Sequence, residues 1–286
     1  MTLIKSLTLQ SKQVRVTALV VLSNYLFAGL YASPSYVDKI SPSALSIIST
    51  FTAPGGLTRL MSMTALSGYI YAGYSTRPGK VQKIDASTME LITTLTMPTD
   101  YNGVLSLTSL SGYIFIATVS KPAIFKVSPA DMSTIAKYSP SSSYYGLFAV
   151  TSLSGYVYAG YNMSPGYVQK INAMSMSLVA TFTPPSGHNE VRSLAVLSGY
   201  LYVGYFTSPG YIDKVNVASM GLVITFTAPS GHIYVESLTT LSGYVYAGYG
   251  TSPGYVDKIN PSSMGLVKTF TAPSGYKGIK ALTSYG

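Results

Sequence analysis

Cysteine and tryptophan are absent from all 286 residues, and only 9% of the chain is charged. Without cysteine there is no disulfide framework, no thiol nucleophile and no zinc finger. A disordered tail is excluded as well, because such segments are poor in apolar residues, whereas here 47% are hydrophobic and can bury a core in one large domain. The surface must then be built from Ser, Thr, Tyr and Gly. Acids are the scarcest charge, 9 Asp+Glu against 18 Lys+Arg. The resulting net charge of +9 invites a nucleic-acid partner, but that reading needs basic residues gathered on one face. They are spread along the chain, and six recur at one repeat position, so no nucleic-acid partner is expected.

Long apolar runs are also missing. The stretch from Val16 to Ala32 is interrupted by Thr17, Ser23, Asn24 and Tyr25, is shorter than the ~20 residues of a membrane span, and lacks a small-residue cleavage site. It aligns with later segments that cannot be leaders. Neither a signal peptide nor membrane insertion is expected.

What the chain does have is repetition. The phrase Leu-Ser-Gly-Tyr-apolar-Tyr-x-Gly-Tyr starts at Leu22 (with Asn24 for Gly), Leu66, Leu110, Leu153, Leu197 and Leu241, in steps of 44, 44, 43, 44 and 44 residues. That period is the length of a four-stranded propeller blade. Within one unit the apolar runs predict strands a (191–197), b (200–206), c (211–215) and d (222–228), separated by Ser-Gly, Ser-Pro-Gly, Asn-x-x-Ser-Met-Gly and Pro-Ser-Gly turns. No segment keeps a helical period, so helix content should be near zero. Strand b, as in Tyr244-Val245-Tyr246-Ala247-Gly248-Tyr249, is apolar on both faces and reads as sandwiched between layers. The Pro-Gly pairs at Pro78, Pro165, Pro209 and Pro253 suit a type II turn, with Gly supplying φ > 0.

The unit resembles the YVTN-type and NHL-like β-propeller repeats, in the order inner strand, Ser-Gly-Tyr turn, YVYAGY strand, VDKIN strand and outer VxTFTAP strand. The resemblance covers nearly the whole chain. It implies an all-β propeller of four-stranded antiparallel blades occupying residues 1–286 as a single domain. Since these families include surface-layer proteins, adhesins, scaffolds and a few enzymes, the fold alone does not give the function. Leu3–Leu9 matches strand d and Gly278–Ser284 matches strand a. The expectation is therefore seven blade positions, the seventh closed by both termini, with six blades as the alternative.

The d–a and b–c loops share one rim, where the side chains vary most. Tyr36, Tyr167, Tyr211, Tyr255, His188, His232 and Tyr276 are the candidate ligand-binding residues, because variable loops on a rigid scaffold are where recognition concentrates and Tyr offers flat apolar area with a polar tip. His188 and His232, with Glu190 nearby, lack a third ligand at matching spacing, so no metal is expected and both read as exposed turn residues. Lys39, Lys83, Lys126, Lys170, Lys214 and Lys258 share one strand c position and read as stems packed on the blades. Met89, Met132, Met176, Met220 and Met264 read as filler of the c–d turns.

The nine acids are not gathered in a pair, and there is no nucleophile elbow or phosphate loop. Hence no catalytic residues and no cofactor are expected. The sequence points to a non-catalytic binding or structural module at a cell or virion surface, its low charge suiting an extremophile's exterior, recognising a surface glycan or protein partner through Tyr/Ser-rich loops. An intracellular protein-binding scaffold is the alternative, and a propeller hydrolase or lactonase the second.

Overall fold

A computed structural model describes residues 6–7 and 15–284. Each repeat folds as a four-stranded antiparallel meander in the chain order a, b, c, d. The six blades occupy 15–52, 60–96, 104–138, 147–182, 191–227 and 235–271. In blade five the strands are Val191–Leu197, Tyr200–Tyr205, Tyr211–Asn216 and Gly221–Thr227, within a residue or so of the boundaries that the turn chemistry predicts. Among the described residues the one helical element is a 3-10 turn, Pro54–Gly56. The blades form two compact units, one to three and four to six, divided between Ser141 and Ser142.

The hairpins follow from two residues. In the a–b turn of blade two, Ser67 and Gly68 have φ of 51° and 85°, the left-handed pair of a type I′ turn whose twist matches the flanking strands. Strand b is buried on both faces as expected, with Ile70, Tyr71, Ala72 and Tyr74 of blade two all at 0% exposure. Its glycine lets the next blade approach. A Cβ on Gly160 would lie 2.4 Å from Val191 Cγ1, and one on Gly204 would lie 2.6 Å from Val235 Cγ1.

One further device joins a blade to its successor. The lysine ammonium of strand c crosses to the carbonyl that follows the next blade's strand c: Lys39 donates to Ala86 (2.8 Å), Lys83 to Pro129 (2.6 Å), Lys170 to Val217 (2.7 Å) and Lys214 to Pro261 (2.7 Å). All six lysines also lie over the tyrosine that opens their own strand b, from Lys258 on Tyr244 at 3.7 Å to Lys39 on Tyr25 at 4.4 Å. Burial holds the Lys170 ammonium below its ordinary pKa. The methionines fill the c–d turns as expected, but in a left-handed conformation, with φ from 49° at Met264 to 61° at Met89.

The b–c turn differs from expectation. The Ser33-Pro34, Arg77-Pro78, Ser164-Pro165, Ser208-Pro209 and Ser252-Pro253 bonds are cis, and the glycines after proline are not among the residues with positive φ. Glycine is needed there for space. A Cβ on Gly166 would stand 3.0 Å from the amide nitrogens of Glu190 and Val191, and one on Gly210 would stand 3.0 Å from the His232 carbonyl.

The blade count follows the alternative rather than the first expectation: among the described residues there are six four-stranded sheets, not seven positions. The N-terminal strand expected at Leu3–Leu9 falls almost wholly outside the described residues. Gly278–Ser284 forms no strand among the described residues. It keeps only the first contacts of an a strand. Ile279 donates its N–H to the Tyr249 carbonyl (2.8 Å) and packs where a Cβ on Gly248 would lie, as Val235 does against Gly204.

In every blade the a–b ladder slips by one residue near the start of strand a, after its second residue in blade one and after its first in the others. The residue skipped is Thr17, Met61, Leu105, Phe148, Arg192 or Glu236, each a bulge that leaves the ladder unpaired.

Candidate functional site

The rim of d–a and b–c loops is held by buried polar clusters. His188 lies in the loop between blades four and five and reaches Asp213, 25 residues on in strand c of blade five; Nδ1 stands 2.9 Å from Oδ2. Facing a carboxylate, that nitrogen carries the proton. The same Oδ2 accepts from Tyr205 Oη (2.9 Å), while Oδ1 accepts from Thr225 Oγ1 (2.6 Å). Blade six repeats the arrangement with His232 Nδ1 on Asp257 Oδ2 (2.8 Å) and Thr269 Oγ1 on Oδ1 (2.6 Å). Burial first, then the adjacent carboxylate, pushes the Tyr205 and Tyr249 hydroxyls well above the ordinary tyrosine pKa.

The histidines are therefore not exposed turn residues: His188 and His232 are 6% and 7% exposed. The loop folds inward because a hydrogen-bonded imidazole satisfies a carboxylate that has no water. The same two loci vary together in other blades. Blade two has Leu57 at the histidine position and Gln82 at the aspartate position, with Tyr74 donating to Gln82 Oε1 at 2.7 Å. Blade four has Tyr144 and Gln169, with Tyr161 donating to Gln169 Oε1 at 2.6 Å.

Of the candidate binding residues, the structure brings four together in two pairs. Tyr211 stacks on His188 (centroids 4.3 Å apart, planes 18°) and Tyr255 on His232 (4.1 Å, 17°). Tyr167 meets Tyr144 edge-on at 5.7 Å. Tyr36 is half-buried at the start of strand c of blade one. Tyr276 stands at the position of His232 one repeat on and is 54% exposed. Among the described residues no group of three metal-capable side chains converges.

Asp213, Asp257, Tyr205 and Tyr249 were not singled out by sequence reasoning. The signal was the joint change of two columns of the repeat, histidine with aspartate against leucine or tyrosine with glutamine.

Blade one shows the aspartate without its imidazole. Asp38 receives Thr50 Oγ1 at 2.6 Å, Leu30 stands where tyrosine stands elsewhere, and burial raises its pKa despite the opposing threonine bond. A carboxyl whose folded pKa lies above its ordinary value is protonated in the folded protein where the unfolded chain has already ionised. Its charge at neutral pH thus costs stability, and that cost vanishes as pH falls through the raised pKa and below about 3.8. Asp38→Asn should therefore melt above the parent at pH 7, and the gap should close by about pH 3. An equal gap at both pH values in thermal scans would refute this.

Six four-stranded antiparallel blades in succession, each with a tyrosine-rich strand covered on both faces, define a β-propeller of six blades. The chain is similar to the solved crystal structure of the computationally designed Ika8 protein, with a TM-score of 0.70 at 12% identity over 95% of this chain and 78% of that one. No known protein family matches the sequence, and neither does any curated protein.

Proposed function

We propose that this chain, a propeller of the YVTN/NHL-like kind, is a non-catalytic recognition module exposed at the exterior of a virus or cell. It takes a glycan or protein partner on the rim of d–a and b–c loops. The observation that carries the reading is the employment of its acids. All but Glu90 are engaged within the chain: Asp38, Asp213 and Asp257 in the blades, Asp85 and Asp131 in their own turns, and Asp100, Glu190 and Glu236 with cations. Each serves alone in a structural contact, whereas hydrolysis of glycosides or lactones calls for carboxylates held free as acid and base. The rim itself offers Tyr211 and Tyr255 with one ring face fixed against histidine, a preorganised edge that loses little entropy on binding.

The experiment is a binding screen of the purified protein against glycans and intact cell envelopes, at neutral and acidic pH, beside a variant with Tyr167, Tyr211 and Tyr255 all changed to Ala. Binding that this variant loses, with its circular dichroism unchanged, is the expected result. Absence of binding at either pH would sink rim recognition and leave a structural role.

A further inference from the structure

The bulge residue of strand a is the least repetitive position inside the strands. It reads Thr17, Met61, Leu105, Phe148, Arg192 and Glu236 in successive blades, and a bulge frees its side chain from the ladder and re-aims it. The bulge residues of blades four and five meet. The Arg192 guanidinium lies between two rings, its Cζ 4.3 Å from the Phe148 centroid and 4.7 Å from that of Phe206. Phe206 stacks in turn on Tyr234 at 4.2 Å and 16°. Arg192 donates to Glu190 Oε2 at 3.1 Å, and Lys280 pairs with Glu236.

The backbone is bent to make this group. In blades two to six the residue before strand a has positive φ; blades three and four use Gly103 and Gly146, but Arg59, Glu190 and Tyr234 hold 62°, 56° and 61°. Non-glycine residues in that region carry strain, which concentrates where a side chain must be presented. At the position of Phe206 blade six has Gly250, where a Cβ would lie 2.9 Å from Glu236 Oε1. Arg192 Nε is buried with no hydrogen-bond partner. The exposed ends of both ion pairs reach solvent: Arg192 and Glu190 side chains are 23% and 40% exposed, Lys280 and Glu236 38% and 16%.

We propose that this group is a subsite for a neutral saccharide, an inference that rests on the recognition role given above. Two cations and two carboxylates, already paired, leave the patch without net charge, so it has no preference for a charged ligand. What it presents is a rigid donor beside a rigid acceptor, twice, next to the Phe206–Tyr234 stack. A sugar hydroxyl both accepts and donates: it takes a hydrogen bond from the guanidinium or ammonium and gives one to the adjacent carboxylate, while the apolar face of a pyranose covers ring area.

The test is retention of the whole protein on immobilised neutral hexose oligosaccharides, with uronate-bearing oligosaccharides and an acidic peptide as parallel arms, in 50 mM and 500 mM salt. Neutral sugars should be retained equally at both salt concentrations. Glu236→Gln and Arg192→Lys should each weaken retention about tenfold with melting curves near the parent's, and Glu90→Gln should leave it unchanged. Should Arg192→Lys unfold the chain, Glu236→Gln alone decides. Retention of only the acidic arms, of no sugar, or of neutral sugars undiminished in Glu236→Gln overturns the subsite. The recognition role itself falls only with the envelope screen and its rim tyrosines.

Discussion

Adding one methyl group at Gly160 should destabilise the protein by about 3 kcal/mol, the upper end of what overpacking costs. The Cβ of Gly160→Ala would sit 2.4 Å from Val191 Cγ1 and 3.0 Å from its Cβ. Neither can retreat, since Val191 is fully buried at the start of strand a, hydrogen-bonded in the ladder to Tyr205. In a chain of this size the loss corresponds to a melting temperature lower by about 5 °C. Val191→Ala in the same chain removes the opposing methyls, so the double variant should recover part of the loss that simple addition of two damaging changes would predict. If Gly160→Ala melts with the parent, the approach of blade five to that glycine does not govern the packing.

Asp213→Ala should be costlier still. The change deletes the acceptor of three donors, His188 Nδ1, Tyr205 Oη and Thr225 Oγ1, at a site with 0% exposure. Donors left buried without water cost about 1–3 kcal/mol each before relaxation, and breaking a buried charged cluster typically costs about 3–5 kcal/mol in all. The chain itself holds the remedy. Blade two satisfies the same tyrosine with Gln82 and closes the loop with Leu57. Asp213→Gln combined with His188→Leu should accordingly be more stable than Asp213→Ala in denaturant titrations. The reverse order would show that the imidazole contributes something other than satisfaction of the carboxylate.

The repeat was legible because its signals are local. A two-residue Ser-Gly turn fixes a hairpin and a doubly apolar strand fixes what must be covered, so the strands of blade five could be bounded from sequence within a residue or so. Half of the rim was not legible. Whether His188 faces water depends on a carboxylate 25 residues away in the next blade, and no pattern within one repeat reports it. The role of Gly166 was misjudged for the same reason. Its neighbours in sequence suggest a turn needing φ > 0, while its neighbours in space, Glu190 and Val191, need the room. The residues of Gly278–Ser284 carry strand propensity, but propensity alone does not make a ladder, and they form no strand with the described residues.

The lysine contacts described above have a consequence for how such a chain could be assembled or altered. Within each compact unit a blade offers its successor the same ammonium, and the successor receives it on the same carbonyl beyond strand c. These four joints therefore have a plug and a socket of one pattern, and the parts are interchangeable in the engineer's sense. Removing or duplicating one whole 44-residue period would leave the remaining fittings matched, whereas a cut of half a period would leave a plug facing no socket.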